Sequence, residues 1–151
     1  MSDIHLPATR SRNMSAIRGK DTKPEMLIRR ALHARGFRYR LHSQKLPGSP
    51  DLVLPKYRAA IFVHGCFWHR HNCSMFHWPS SRKDFWRKKL DANYERDERN
   101  VNALLVAGWR VAVVWECCLR GKHKRGDDSV ADTLSDWLTS DKYFFTIPSN
   151  V

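Results

Sequence analysis

The chain has 151 residues, of which 42% are hydrophobic and 28% are charged. This length and composition fit one domain with a proper core and exclude a disordered chain. No run approaches about 18 apolar residues, which excludes a membrane span, and residues 1–20 lack the apolar stretch of a signal peptide. We therefore expect a cytoplasmic protein, in which the four cysteines are metal ligands or free thiols rather than disulfides.

The charge of the chain is strongly basic and unevenly distributed. There are 27 Lys and Arg against 15 Asp and Glu, a net charge of +12. Residues 1–50 hold 11 basic and 3 acidic side chains, residues 51–100 hold 10 and 6, and residues 101–151 hold 6 of each. Such a field favours a polyanion, DNA or RNA first, over an anionic membrane. The alternative is a basic surface that serves only solubility.

Caps, breakers and hydrophobic periodicity divide the chain into helices and strands. Residues 1–20 form a basic arm, and Thr22 with Glu25 makes a capping box that opens the first helix. Two-residue alternation and apolar runs predict strands, whereas a long 3.6-residue pattern ending at Gly108 predicts a helix. The predicted elements are a helix over 22–36, strands over 37–42, 51–54 and 59–64, a helix over 82–107, a strand over 109–115 and a helix over 127–138.

This order of elements predicts an α/β fold, with a mixed central β-sheet flanked by helices. We expect a single domain over residues 21–151. Within it, residues 65–81 have no clear period and are rich in Cys, His and aromatic residues. That composition suits a loop organised by a metal ion better than a helix or a strand.

Seven potential metal ligands fall in this loop and after the strand at 109–115. They are Cys66, His69, His71, Cys73, His77, Cys117 and Cys118. Four Cys or His ligands around one point are the tetrahedral pattern of structural zinc, which would hold a loop that has no core of its own. Strand alternation lets only one of the last two cysteines face the loop, and its phase favours Cys117. The alternative is that the cysteines are buried free thiols.

Acidic and imidazole side chains also meet at the ends of the predicted hairpin strands. Asp51 opens one strand and His64 closes the next, so both can converge on a divalent metal ion at the sheet edge. Glu25, in the first turn of the first helix, is a further acid within reach of this edge. Alternatively, Asp51 is only a turn residue and Glu25 only completes the capping box.

Five segments of the chain, in order, resemble the very short patch repair (Vsr) endonucleases. The most specific is His64-Gly-Cys-Phe-Trp-His-Arg-His-Asn-Cys73, which carries five Cys or His residues. The others are Ala8–Met14, Leu46–Asp51, Asn93–Asp97 and Gly108–Cys117. The resemblance runs from about residue 8 to residue 121 and implies a restriction-endonuclease-like fold of the PD-(D/E)XK kind. The sequence departs from that pattern, because Phe62 stands at the place of a second acid and His64 at the place of a lysine.

The resemblance implies two catalytic Mg²⁺ ions at the sheet edge. Asp51 and the main-chain carbonyl of Val63 would bind the metal, and His64 and Glu25 would act beside it, directly or through water.

A general base and a zinc site are implied by the same resemblance. His69 would be the base and Asp97 its partner, and such a carboxylate fixes the tautomer and stabilises the imidazolium. Spacing alone does not single out this pair, because Asp97 also fits an exposed acidic run. One structural Zn²⁺ would be bound by Cys66, His71, Cys73 and Cys117.

The family nicks one DNA strand on the 5′ side of the thymine in a T:G mismatch left by deamination of 5-methylcytosine. The resemblance therefore implies double-stranded DNA with this mismatch as substrate. Base-inserting aromatic side chains and a minor-groove arm read such a distorted duplex. The positions that match these elements are Phe67, Trp68, Trp86, Met14, Arg10 and Arg12. Without the resemblance, Trp86 is interpreted as helix core, and Phe67 and Trp68 as packing of the zinc loop.

Two other functions remain open at the level of sequence. One is a related nuclease with a different target, restriction-type or structure-specific. The other is a non-catalytic zinc-dependent DNA-binding module, which leaves the combined set of acids and histidines unexplained. Nicking one strand needs only one active site, so we expect a monomer, and the family suggests contact with mismatch-repair proteins.

Overall fold

The structure, a computed structural model, describes residues 20–122 and 124–148. Within these ranges it has three α-helices and five β-strands, with short 3-10 turns at Pro55–Tyr57 and Glu116–Cys118. In chain order they are α1 (Lys23–Ala34), β1 (Arg40–Leu41), β2 (Leu52–Leu54), β3 (Ala59–His64), α2 (Lys83–Val106), β4 (Arg110–Trp115), α3 (Asp127–Leu138) and β5 (Phe144–Ile147). The predicted alternation of helices and strands is confirmed.

The described strands form one mixed sheet in the order β1-β2-β3-β4-β5. The pairs β1–β2 and β2–β3 are antiparallel, whereas β3–β4 and β4–β5 are parallel. The parallel pairs need crossovers, which α2 and α3 supply. In the β3–β4 register His64 lies beside Trp115, so the C-terminal ends of both strands lie at the same end of the sheet. The prediction of a mixed central sheet flanked by helices is thus confirmed.

Hydrophobic residues bury both faces of the sheet. On one face α1 and α3 pack through Ile28, Leu32 and Leu134. On the other face the C-terminal half of α2 packs Leu104 against Phe62 and its neighbours. Both central strands are therefore apolar on their two sides, which is typical of parallel strands covered by helices. This arrangement leaves the ends of β2 and β3 as a rigid platform for polar side chains.

One expected strand was wrong in extent, and one strand was missed. The alternating segment 37–42 forms only the two-residue strand β1, because Phe37 leaves the sheet to pack on Tyr57 in the core. The strand β5 was missed. Its four residues pair in parallel with β4 although they lack a long apolar run, because β5 is an edge strand with Phe144 half exposed.

Other features of the sequence analysis fall on the loop and on the arm. Residues 65–81 contain turns and no helix or strand, as expected for a loop of that composition. The arm with Arg10, Arg12 and Met14 lies outside the described residues. None of the described helices is long and apolar enough to cross a membrane.

Candidate active site

Four of the predicted metal ligands lie together beside the end of β4. The ligand atoms of Cys66, His71, Cys73 and Cys117 all lie within 4.8 Å of one another, and three of these residues are buried. A turn closed by a hydrogen bond from the His71 amide to the Cys66 carbonyl brings the loop ligands together. This cluster could hold a metal ion, and its three sulfurs and one imidazole are the donor set of a tetrahedral structural site.

The neighbouring Cys118 has a different environment. Its Sγ–H donates to the Trp115 carbonyl over 3.0 Å, and its side chain lies in the hydrophobic core. The alternation that favoured Cys117 does not apply, because β4 ends at Trp115 and both cysteines lie in the following 3-10 turn. Burial raises the pKa of Cys117 to about 11 and that of Cys118 to about 12. A bound cation would counter this effect at Cys117, since metal ligands are thiolates.

A second group, at the end of β3, joins two histidines and a carboxylate. The Asp97 Oδ2 lies 2.5 Å from Nδ1 of His69, and the His69 ring stacks on His64 with centroids 3.7 Å apart. His64 is buried and its Nδ1 has no hydrogen-bond partner among the described residues. Burial, followed by the nearby His69, lowers the pKa of His64 well below its usual value. His64 is therefore a neutral imidazole that can accept or donate a hydrogen bond.

Asp51 stands between the first helix and the end of β3. Its Oδ2 accepts a hydrogen bond of 2.7 Å from the Val63 amide, and the carboxylate is 8% exposed. Burial raises its pKa to about 7; the Val63 amide opposes the rise and Glu25 adds to it. A divalent cation would relieve this cost, because it stabilises the ionised form of Asp51.

Glu25 is held by more partners than the capping box predicts. Its Oε1 accepts from the Asp21 amide at 3.0 Å, while its Oε2 lies 2.7 Å from His42 Nε2 and 3.3 Å from Arg29. The Thr22 cap is present as well, accepting from the Glu25 amide. With 1% exposure, Glu25 is too buried to meet a substrate directly in this arrangement.

His42 is a residue of this site that sequence reasoning missed. It contacts Glu25 through its ring and donates its amide to the Asp51 carbonyl at 3.1 Å. His42 thereby links the two acids, because its ring contacts Glu25 and its amide binds the carbonyl of Asp51. In the sequence, His42 is only one of the polar residues that alternate with apolar residues over 37–42, and surface residues show the same pattern.

The predicted base-inserting residues form an aromatic cluster at the start of the loop. Phe67 and Trp68 are partly exposed, and both contact Trp86 edge-on, with centroids 5.4 and 5.9 Å away. Trp86 itself is 3% exposed. In this structure Trp86 packs beneath the other two aromatic residues, which matches its interpretation as helix core, and its insertion into DNA stays a prediction.

The long helix α2 fixes the loop through two residues spaced one turn apart. Asn93 donates its side-chain amide to the Trp68 carbonyl at 3.1 Å, and Asp97 holds His69. Residues at i and i+4 share a helix face. A cleft of about 950 Å³ opens beside this face, between α2, the loop and the ends of β4 and β5. The histidine pair lines it, whereas His77, also at its wall, is not part of the metal cluster.

Comparisons with known proteins identify relatives of this chain. The family model of the DNA mismatch endonuclease Vsr matches residues 2–75. The DNA mismatch endonuclease Vsr of Escherichia coli K12 is 45% identical over 138 residues, covering 91% of this chain and 88% of the relative. The type II nicking enzyme V.XorIIP of Xanthomonas oryzae is 50% identical over 117 residues, with coverages of 78% and 86%. The type II nicking enzyme V.NmeAIP of Neisseria meningitidis is 47% identical over 122 residues, with coverages of 81% and 87%.

One end of the mixed sheet carries an acid, paired histidines and a cluster that could hold a metal ion. In a chain with these relatives, this combination defines a DNA endonuclease. The relatedness extends over most of both chains. The chain belongs to the DNA mismatch endonuclease Vsr family.

Proposed function

We propose that this protein is a Mg²⁺-dependent endonuclease that nicks one DNA strand 5′ of the thymine in a T:G mismatch. The observation that carries the proposal is the His69–Asp97 pair at the same sheet end as the buried carboxylate of Asp51. The single domain at 21–151 then has a restriction-endonuclease-like fold. Phosphodiester cleavage of this kind needs one group that accepts a proton and another that binds a cation. We assign the first role to His69 and the second to Asp51.

Asp51 and the Val63 carbonyl are the proposed ligands of two Mg²⁺ ions. Mg²⁺ is bound in proteins by one or two carboxylates, with water and phosphate oxygens completing the octahedron. When bound, it neutralises charge that develops on the phosphate and the leaving oxygen. Glu25 would act on Asp51 through its position, and His64, whose buried Nδ1 has no hydrogen-bond partner among the described residues, would act beside the metal, directly or through water.

His69 is the proposed general base. Since Asp97 occupies Nδ1 of His69, Nε2 is the ring nitrogen that is proposed to take a proton from the attacking water. The water oxygen then bonds to phosphorus while the bond from phosphorus to the sugar oxygen of the adjoining nucleotide breaks, and that leaving oxygen takes a proton from solvent water. The imidazolium formed at His69 is stabilised by the Asp97 carboxylate.

Zn²⁺ is the proposed occupant of the Cys66, His71, Cys73 and Cys117 cluster, with a purely structural role. The ligands of the cluster flank His69 in the loop, with Cys66 before it and His71 after it. The His71 ring stacks on the Trp115 ring, with centroids 4.1 Å apart. Its binding free energy would act as folding free energy for the loop. The loop in turn presents Phe67 and Trp68 to the duplex, while the arm at residues 1–20, with Arg10, Arg12 and Met14, is proposed to meet the minor groove.

A nicking assay tests the proposal. Labelled duplexes with a T:G mismatch in a methylation-type site, and matched fully paired duplexes, are incubated with Mg²⁺ and wild-type protein or Asp51→Ala. We expect a single nick 5′ of the mismatched thymine, no cut in the paired duplex, and no cut by the variant. Cutting of the paired duplex would instead favour a nuclease with a different target. That outcome has a specific motivation, because several relatives are named type II nicking enzymes.

A further inference from the structure

Arg70, which follows the proposed base His69, occupies a backbone position that normally favours glycine. The Arg70 amide donates to the Phe67 carbonyl and the His71 amide donates to the Cys66 carbonyl. These two bonds are those of a Schellman motif, in which the residue at the C′ position is left-handed. Arg70 has a φ of 51°. Because glycine adopts this conformation more readily than other residues do, a glycine at position 70 should keep the turn intact.

The guanidinium of Arg70 is held in one orientation at the wall of the cleft. One of its nitrogens lies 2.5 Å from Asp91 Oδ1, and its plane packs 4.1 Å from the centre of the Tyr94 ring. The side chain keeps 32% exposure and lines the same cleft as His69 and Asp97. An arginine has five N–H donors, and the contacts among the described residues use only part of this set.

We propose that Arg70 binds a backbone phosphate of the DNA strand at the mouth of this cleft, next to the phosphodiester served by His69. The guanidinium fork matches the geometry of phosphate oxygens, and its stacking on Tyr94 reduces the flexibility lost on binding. The proposal rests on the proposed function in one respect, the position of the scissile phosphate beside His69. The competing explanation is that the Arg70–Asp91 ion pair only fastens the loop to α2.

DNA affinity measured as a function of salt separates these explanations. The key variant is Arg70→Gly, because glycine suits the left-handed position and the loop should fold without the guanidinium. Loss of one phosphate contact should make the plot of log affinity against log salt less steep by about 0.9. Over a fourfold rise in salt, wild type should then lose about 3.5 times more affinity than the variant. A slope equal to that of wild type would overturn the proposal.

Three further variants complete the test. Arg70→Lys keeps the charge and should keep the slope, and Arg35→Gln, which removes an ion-paired arginine between α1 and α3, should leave it unchanged. Asp91→Asn removes the ion pair but not the phosphate ligand, so its affinity should equal or exceed that of wild type. If Asp91→Asn instead weakens binding as much as Arg70→Gly, the ion pair is only structural and the proposal fails.

These titrations contain no divalent cation and use both a T:G duplex and a paired duplex. They therefore do not depend on nicking or on mismatch preference. Equal affinity for the two duplexes would count against the proposed T:G specificity, while the difference in slope would still report the Arg70 contact.

Discussion

Asp97 on α2 and His69 in the metal-ligand loop meet through a 2.5 Å contact between Oδ2 and Nδ1, and each side chain is only about one fifth exposed. The contact occupies Nδ1 of His69, and both residues line the cleft. Because Asn93 on the same helix face holds the Trp68 carbonyl, α2 positions both the proposed base and the proposed base-inserting residue. Loss of the Asp97–His69 contact should therefore alter the chemical step, whereas loss of the Asn93–Trp68 contact should alter recognition.

Loss of the base should reduce the rate of the chemical step and leave DNA affinity nearly unchanged. General acid–base catalysis contributes about 10²–10⁴-fold, so His69→Ala should slow single-turnover nicking by a factor in this range. Asp97→Asn should slow it by a smaller factor, because the amide cannot stabilise the imidazolium. Glu95→Gln, on the exposed side of the same helix, is the charge-matched control. A wild-type rate for Asp97→Asn would show that His69 works without its partner.

The buried carboxylate of Asp51 should make the metal-free protein less stable as pH rises. The pKa of Asp51 is 3.8 in the unfolded chain and about 7 in the folded protein, so between these two pH values the folded state binds more protons. Stability from this group is thus present below about pH 4, declines as the pH rises from about 4 to about 7, and is lost above about pH 7.

Asp51→Asn tests this expectation, since asparagine can still accept the Val63 hydrogen bond without a charge. In thermal melts without divalent metal, the variant should exceed wild type at pH 8 and approach it at pH 5. Added Mg²⁺ should raise the melting temperature of wild type only. Parallel melting curves at both pH values would mean that Asp51 carries no buried charge.

Two neighbouring cysteines give a matched pair for the metal cluster. Cys117→Ser removes one of four clustered ligands, whereas Cys118→Ser removes a core thiol that donates to the Trp115 carbonyl and lies outside the cluster. Metal content measured by elemental mass spectrometry should fall from one zinc per chain to near zero in the first variant and persist in the second. Equal zinc content in the two variants would exclude Cys117 as a ligand.

Because burial raises the thiol pKa of Cys117 to about 11, metal uptake at neutral pH should also release protons. Chelation should lower the melting temperature of wild type and of Cys118→Ser, but not that of Cys117→Ser. Unchanged melting of wild type after the metal is removed would contradict a structural role for it.

The sequence predicts the layers of the fold well because helix caps and buried strands leave strong local patterns. The capping box of Thr22 and Glu25 predicts α1, and the apolar run before Glu116 predicts β4. The strand β5 has no such pattern, since an edge strand needs few buried residues. His42 was missed for a different reason, because its contact with Glu25 depends on tertiary packing and leaves no periodic signal.

Trp68 and Trp86 should separate recognition from stability, although the resemblance gives both the same role. Trp68 is partly exposed at the loop surface, so Trp68→Ala should leave the melting temperature almost unchanged. Stacking contributes about 1–3 kcal/mol per base, so the preference for a T:G over a paired duplex should fall about 5- to 150-fold. Phe85→Ala, which removes an exposed ring that also contacts Trp86, is the control and should keep the preference.

Trp86→Ala should instead destabilise the fold by about 3–5 kcal/mol, because it leaves a cavity below Phe67 and Trp68. Trp86→Phe keeps most of that packing and should retain both stability and mismatch preference. If Trp86→Phe folds normally but loses the preference as strongly as Trp68→Ala, Trp86 must leave its buried place and enter the DNA. Chemical denaturation and competition binding on the same protein preparations distinguish these outcomes.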